Sequence, residues 1–216
     1  MNDRSAATSR AEHLADAIVA AMPRLGAVER EVAIALYRTL AEGHPVQPED
    51  VARRVGIAAA EVAGMLARWP GAFMDEAGAV VGFWGLAIPK MPHRFEVDGI
   101  DLHTWCAWDP LFIAPLLGKT ARVASRDPVT GATVSFTVTP AGVEALSHAE
   151  AVVSFLAPDE PWDHAVIQRF CHFVLLFESR TSGSAWVADH PGTVLLSVGA
   201  AFELGRITNA RQFRVE

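Results

Sequence analysis

The sequence predicts an α+β protein in two parts. Residues 1–87 read as a helical module closed by a hairpin. Residues 88–216 read as a mixed, largely antiparallel β-sheet domain with short helices. Apolar residues recur at helical spacing through the first 70 positions. From Ala72 onward, strand-like runs alternate with Gly, Pro and Asp turns. The order helix, helix, helix, hairpin after residue 27 makes the first part winged-helix-like.

Residues 1–11 are expected to lack regular structure. Leu14, Ile18, Ala21, Met22 and Leu25 mark a first helix from Glu12, and Val28, Val32, Leu36 and Leu40 a second, stopped by Gly43. Pro48-Glu49-Asp50 opens a third, with proline and acids at its free N–H groups, and Gly56 ends it. Ala58 to Arg68 is a fourth, broken by Pro70-Gly71. Strands follow at Ala72 to Met74 and Ala79 to Leu86. Residues 88–93, with two prolines, form a linker. A hairpin spans Arg94 to Thr104 around Asp98-Gly99. Pro110 starts a helix through Phe112, Ile113 and Leu116, capped by Gly118. Strands are predicted at Thr120 to Ser125, Ala132 to Val138 and Ala151 to Ala157, with a helical turn at Thr139-Pro140. Cys171 opens an apolar strand-like run, His172 to Phe177. Ser184 to His190 reads as helix, Val194 to Val198 as strand, and Ala200 to Phe213 as helix.

Composition excludes several classes. The 216 residues suffice for one large or two small domains with a buried core. A net charge of −7 argues against nucleic acid or anionic membrane as partner. No apolar run approaches ~20 residues, and the N-terminal stretch lacks the apolar centre of a signal peptide. Two cysteines are too few for a disulfide framework, so free thiols in a reducing cytoplasm are expected. The helical module carries nine Lys/Arg and eleven Asp/Glu up to residue 90. The helix that would enter a DNA groove offers only Glu61 and Arg68 as charges. Phosphate contacts need several cations, so this module is expected to cover a site rather than bind DNA.

The chemistry concentrates at Thr104-Trp105-Cys106-Ala107-Trp108-Asp109-Pro110. A thiol at a strand-to-helix junction lies near unpaired N–H groups that favour the thiolate. Asp109, one helical turn on, can share its side. Trp105, Trp108 and Phe112 make an apolar surrounding that raises a carboxyl pKa towards neutral, where it can exchange a proton. Two other readings stay open from spacing alone. Asp109 can simply cap the helix, and Cys106 and Cys171 can be inert buried thiols. Two thiolates and a carboxylate fit zinc poorly. They suit a soft two-coordinate ion such as Hg(II) or Cu(I). No phosphate-binding loop, dinucleotide glycine set or zincin helix is present.

Trp105-Cys106-Ala107-Trp108-Asp109, followed by Gly118-Lys119-Thr120-Ala121-Arg122-Val123, resembles the organomercurial lyases, also called alkylmercury lyases. Thr130-Gly131-Ala132, Val138-Thr139-Pro140 and Phe170-Cys171 fit the same family pattern, and the likeness covers nearly the whole chain. The resemblance implies cleavage of a carbon–mercury bond by protonolysis, giving a hydrocarbon and Hg(II). It implies Cys106 and Cys171 as mercury-binding thiols, with Asp109 beside the metal as proton shuttle and donor. Trp105, Trp108 and Phe112 are the expected pocket walls. No organic cofactor is implied. Organomercurials are the small-molecule partners, with low-molecular-weight thiols and a mercuric reductase as takers of Hg(II). His172 stands where some members carry a further cysteine, as does the region of Arg126. Trp108 replaces a smaller residue and His103 an aromatic one, changes that bear on substrate range. The competing class is a non-catalytic soft-metal binding or delivery protein on the same fold. A metal-sensing regulator and a redox thiol pair rank below it.

Overall fold

The computed structural model describes the backbone of residues 2–214 and the side chains of residues 10–214. Four helices come first: α1 (Asn2–Ala21), α2 (Ala27–Leu40), α3 (Pro48–Val55) and α4 (Ala59–Arg68). The expected irregular start is therefore helical from Asn2. On α2 the residues four apart, Val32, Leu36 and Leu40, are all fully buried, which is the apolar stripe that makes this segment a helix. The Glu29 carboxylate accepts the Gly26 N–H at 2.8 Å and closes its N-terminus. Gly56, in the left-handed region, ends α3.

The run expected as one strand from Ala79 to Leu86 is two: β2 (Val80–Phe83) and β3 (Leu86–Ala87), preceded by β1 (Ala72–Met74). Trp84 and Gly85 turn the chain between them with φ of 32° and 100°. The sheet continues through β4 (His93–Val97), β5 (Ile100–Thr104), β6 (Ala121–Arg126), β7 (Thr133–Thr139) and β8 (Gly142–Glu144) in the order β1-β2-β3-β5-β4-β6-β7-β8. Every pairing is antiparallel. Leu86 of β3 pairs with Thr104 of β5, so the sheet runs unbroken across residue 88. The helical turn expected at Thr139-Pro140 is instead a hairpin, closed by Gly142 N–H on the Thr139 hydroxyl at 3.1 Å.

A second sheet, β10-β9-β11, is built from β9 (Val152–Leu156), β10 (Leu176–Phe177) and β11 (Thr193–Ser197). Helices α5 (Asp109–Leu117), α6 (Val166–Arg169), α7 (Arg180–Ala188) and α8 (Val198–Gln212) complete the chain. The apolar core is continuous from α1 to α8. α8 crosses α5 closely at Gly205, where a side chain would meet Phe112 Cβ at 2.9 Å and the Leu111 carbonyl at 3.1 Å. Among the described residues no helix is long and apolar enough to cross a membrane.

The expected strand from His172 is mostly not a strand. Cys171–Phe173 forms a tight 3-10 turn after α6, and extended pairing begins only at Leu176. The reason is Ser154 of β9. Its hydroxyl donates to the Phe173 carbonyl at 2.8 Å and accepts the Leu175 N–H at 3.0 Å, replacing ladder bonds with side-chain ones.

Asp127 ties the two sheets together. One carboxylate oxygen accepts the Val129 and Thr130 N–H groups, and the other accepts the Glu178 N–H and the Ser182 hydroxyl. Burial alone would raise its pKa, but these donors hold it below the ordinary value. Asp127→Ala is expected to cost about 1–3 kcal/mol in urea unfolding at pH 7, since one buried and three partly buried donors lose their acceptor. A depressed folded pKa stabilises above the unfolded value of about 4 and fades as pH falls through the folded one. The gap between wild type and variant should therefore shrink below pH 4.

Candidate active site

The strand β5 ends at Thr104, and the chain turns through Trp105–Trp108 into α5. Asp109 is the first residue of that helix, with Pro110 behind it. Its side chain does not cap its own helix. Oδ2 accepts the Cys106 N–H at 2.7 Å, which bends the carboxylate back onto the loop that carries the thiol. The Ala107 N–H donates to the Val174 carbonyl at 3.0 Å, tying this loop to the turn that carries Cys171. That backbone bond joins the two segments whose cysteines lie 65 positions apart.

The Cys106 and Cys171 sulfurs and an Asp109 oxygen all lie within 4.8 Å of one another, and all three residues are buried. Both cysteines are free thiols. His172 is exposed and outside this cluster. Two sulfurs and one carboxylate, with no histidine, match a soft ion better than zinc.

Burial pushes the Asp109 carboxyl up to about 7, against the pull of the Cys106 N–H it accepts. Burial also raises the Cys106 thiol well above its ordinary value, reinforced by the Cys171 and Asp109 neighbours. For Cys171 the largest influence is the hydrogen bond from Cys106, which lowers it. Burial and the Asp109 charge outweigh that and leave it raised. The site is thus a protonated thiol pair beside a carboxyl poised near neutrality.

A narrow, almost wholly apolar cavity opens onto Asp109 and Cys171. Trp105, Trp108 and Phe112, expected from the sequence, all line it. Cys106, with no exposed surface, sits behind this wall. Trp108 is pinned by its indole N–H on the Ala201 carbonyl at 3.1 Å, and the Phe112 carbonyl accepts the Asn209 amide at 2.8 Å. Sequence reading missed Trp84, Gly85, Trp162, Phe170 and Phe213, which also line the cavity. The one available signal was Trp84-Gly85, a turn dipeptide inside an apolar run. Phe170 stands next to Cys171, while Trp162 and Phe213 come from distant segments and have no local spacing.

An α+β chain with two buried thiols and a carboxyl at an aromatic cavity has a donor set that suits a soft metal. The comparisons specify the family. The model for alkylmercury lyase matches residues 86–208. The alkylmercury lyase of Staphylococcus epidermidis is 43% identical over 176 residues, 82% of this chain and 80% of that protein. That of Pseudomonas putida is 41% identical over 174 residues, 81% of each chain. The fold is similar to the crystal structure of the mercury-bound form of MerB2, with a TM-score of 0.72 at 20% identity, covering 92% of this chain and 97% of that one. The chain belongs to the alkylmercury lyase family, and its activity is that of an alkylmercury lyase.

Proposed function

We propose that Cys106, Cys171 and Asp109 carry out protonolysis of the carbon–mercury bond. The observation that supports this assignment is the convergence of their three reactive atoms within 4.8 Å beside an apolar cavity. One thiol exchanges with the mercurial's counter-ligand, and its proton leaves on that ligand. Asp109, whose carboxylate lies within 4.8 Å of the Cys106 sulfur, takes the Cys106 proton, and the freed thiolate adds to mercury. Two thiolates push electron density towards the carbon and make it basic. Protonated Asp109 then delivers its proton to that carbon as the carbon–mercury bond breaks. The balance is one hydrocarbon released and Hg(II) left on two sulfurs, with Asp109 restored as carboxylate. The aromatic walls accept the organic group and keep competing water out.

Hydrocarbon release from an aryl mercurial in a single turnover, without added thiol, tests the reaction. Ionised Asp109 is the form that accepts the thiol proton. The rate is therefore expected to rise with pH through about 7 and level above it. A rate that falls over that interval contradicts the assigned base.

We further propose that cellular thiols and a mercuric reductase take Hg(II) from the sulfurs, since a product held by two thiolates leaves by exchange with others. A reducing cytoplasm, which keeps both cysteines free, is the fitting compartment. The chemistry calls on no organic cofactor, because acid, base and soft ligands are side chains. We read residues 1–87 as a winged-helix-like unit that covers the site, and 88–216 as the unit bearing the reactive groups.

A further inference from the structure

We infer that the Trp84–Gly85 turn, pinned by Tyr37, is the positioning device for Asp109. This rests on the reading of Asp109 as proton donor. Gly85 has no side chain, and the Asp109 carboxyl occupies the space that one would fill. A Cβ built on Gly85 lies 2.5 Å from Asp109 Cγ, 2.6 Å from Oδ1 and 2.9 Å from its Cβ. Atoms never approach so closely, so any side chain at 85 must drive the carboxyl from its place. The carboxyl is clamped from two sides. Oδ2 is held by the Cys106 N–H, and the Oδ1 side is closed by the Gly85 backbone. With Oδ2 bonded and the Gly85 turn against the Oδ1 side, the carboxyl is held beside the sulfurs.

The turn itself is held at both ends. The hydroxyl of Tyr37, a fully buried residue of α2, donates to the Trp84 carbonyl at 2.7 Å. The next carbonyl, of Gly85, accepts the Trp105 N–H at 2.9 Å. Trp84 adopts a φ of 32°, which a tryptophan keeps only under constraint from its surroundings. Those surroundings are specific. The Trp84 indole N–H donates to the Pro70 carbonyl, and its ring stacks on Phe83 with centroids 4.4 Å apart. The helical module thus reaches the reacting groups through one turn, and Gly85 and Tyr37 are positioning residues.

The test compares Gly85→Ala, Tyr37→Phe and Asp109→Ala with Gly78→Ala in the full chain. Gly78 has a similar positive φ of 77° with open space beside it, so it reproduces the backbone strain without touching Asp109. The readouts are kcat and KM for hydrocarbon release from an aryl mercurial, Hg(II) uptake followed by thiolate-to-mercury absorption, and Tm. Gly85→Ala is expected to lose about 100-fold in kcat, the scale of a misplaced reacting group. KM and Hg(II) uptake should stay near those of Gly78→Ala, which keeps wild-type kcat. Tyr37→Phe should lose roughly tenfold in kcat with the same pattern. If Gly85→Ala folds and matches Gly78→Ala in kcat, the inference is overturned. Should Gly85→Ala not fold, Tyr37→Phe decides alone, and wild-type kcat there overturns it. Turnover by Asp109→Ala instead removes the proton-donor reading itself, which separates the two failures.

Discussion

Asp109→Ala is expected to slow hydrocarbon release by about 10²–10⁴-fold while the protein still binds Hg(II) on two sulfurs. The loss follows from its position. Among the described residues, Asp109 is the one carboxyl grouped with the two thiols. It is poised at about 7, so it can both take and give a proton at neutral pH. The same burial carries a stability cost. A carboxyl whose pKa is raised on folding stabilises fully below the unfolded value of about 4, and that contribution is lost as pH rises through 7. Asp109→Asn keeps an oxygen for the Cys106 N–H and removes the charge. It should therefore be more stable than wild type at pH 8, by up to about 4 kcal/mol. Urea unfolding of both proteins at pH 5 and pH 8 checks this. The difference should grow with pH, and a constant or shrinking difference counts against a buried, neutral-poised carboxyl.

Cys106→Ser and Cys171→Ser should each lower turnover on the order of 10³-fold, and the double variant should cost little more than either. A hydroxyl is a poor partner for a soft metal, and one remaining thiolate leaves the carbon too weakly basic to accept a proton. Groups that act as a unit lose function together, so non-additivity is the diagnostic. Serine nearly matches cysteine in size, and Tm should move little. Single-turnover hydrocarbon yield, with mercury bound per chain, measures both effects. Additive losses point to independent roles and oppose a shared mercury site.

Much of the site is readable in the sequence because its chemistry is local. Cys106, Asp109 and their aromatic neighbours lie within residues 105–112, and three of those neighbours do line the cavity. Cys171 was legible as the second thiol of a soft-metal pair, but not how it reaches Cys106. Its partnership depends on the Ala107 to Val174 backbone bond, which leaves no periodic mark. Helices α2 to α4 and most strands followed from apolar spacing and turn residues. The errors have physical causes. Trp84-Gly85 interrupts an unbroken apolar run, so hydrophobicity conceals the turn. Ser154 diverts the backbone after Cys171 from strand to 3-10 turn through side-chain bonds made across 19 and 21 positions. The role of the helical module at Asp109 was invisible for the same reason, since Tyr37 reaches Trp84 across 47 positions.

The central claim is that one mercury is held by Cys106 and Cys171 while Asp109 protonates its carbon. Trapping the uncleaved substrate tests it most directly. A crystal structure of Asp109→Ala soaked with an aryl mercurial should show mercury on the two sulfurs with the aryl group still attached, lying in the cavity between Trp105, Trp108 and Phe112. Mercury bound away from this sulfur pair, or bound here with the aryl group already gone, would contradict it.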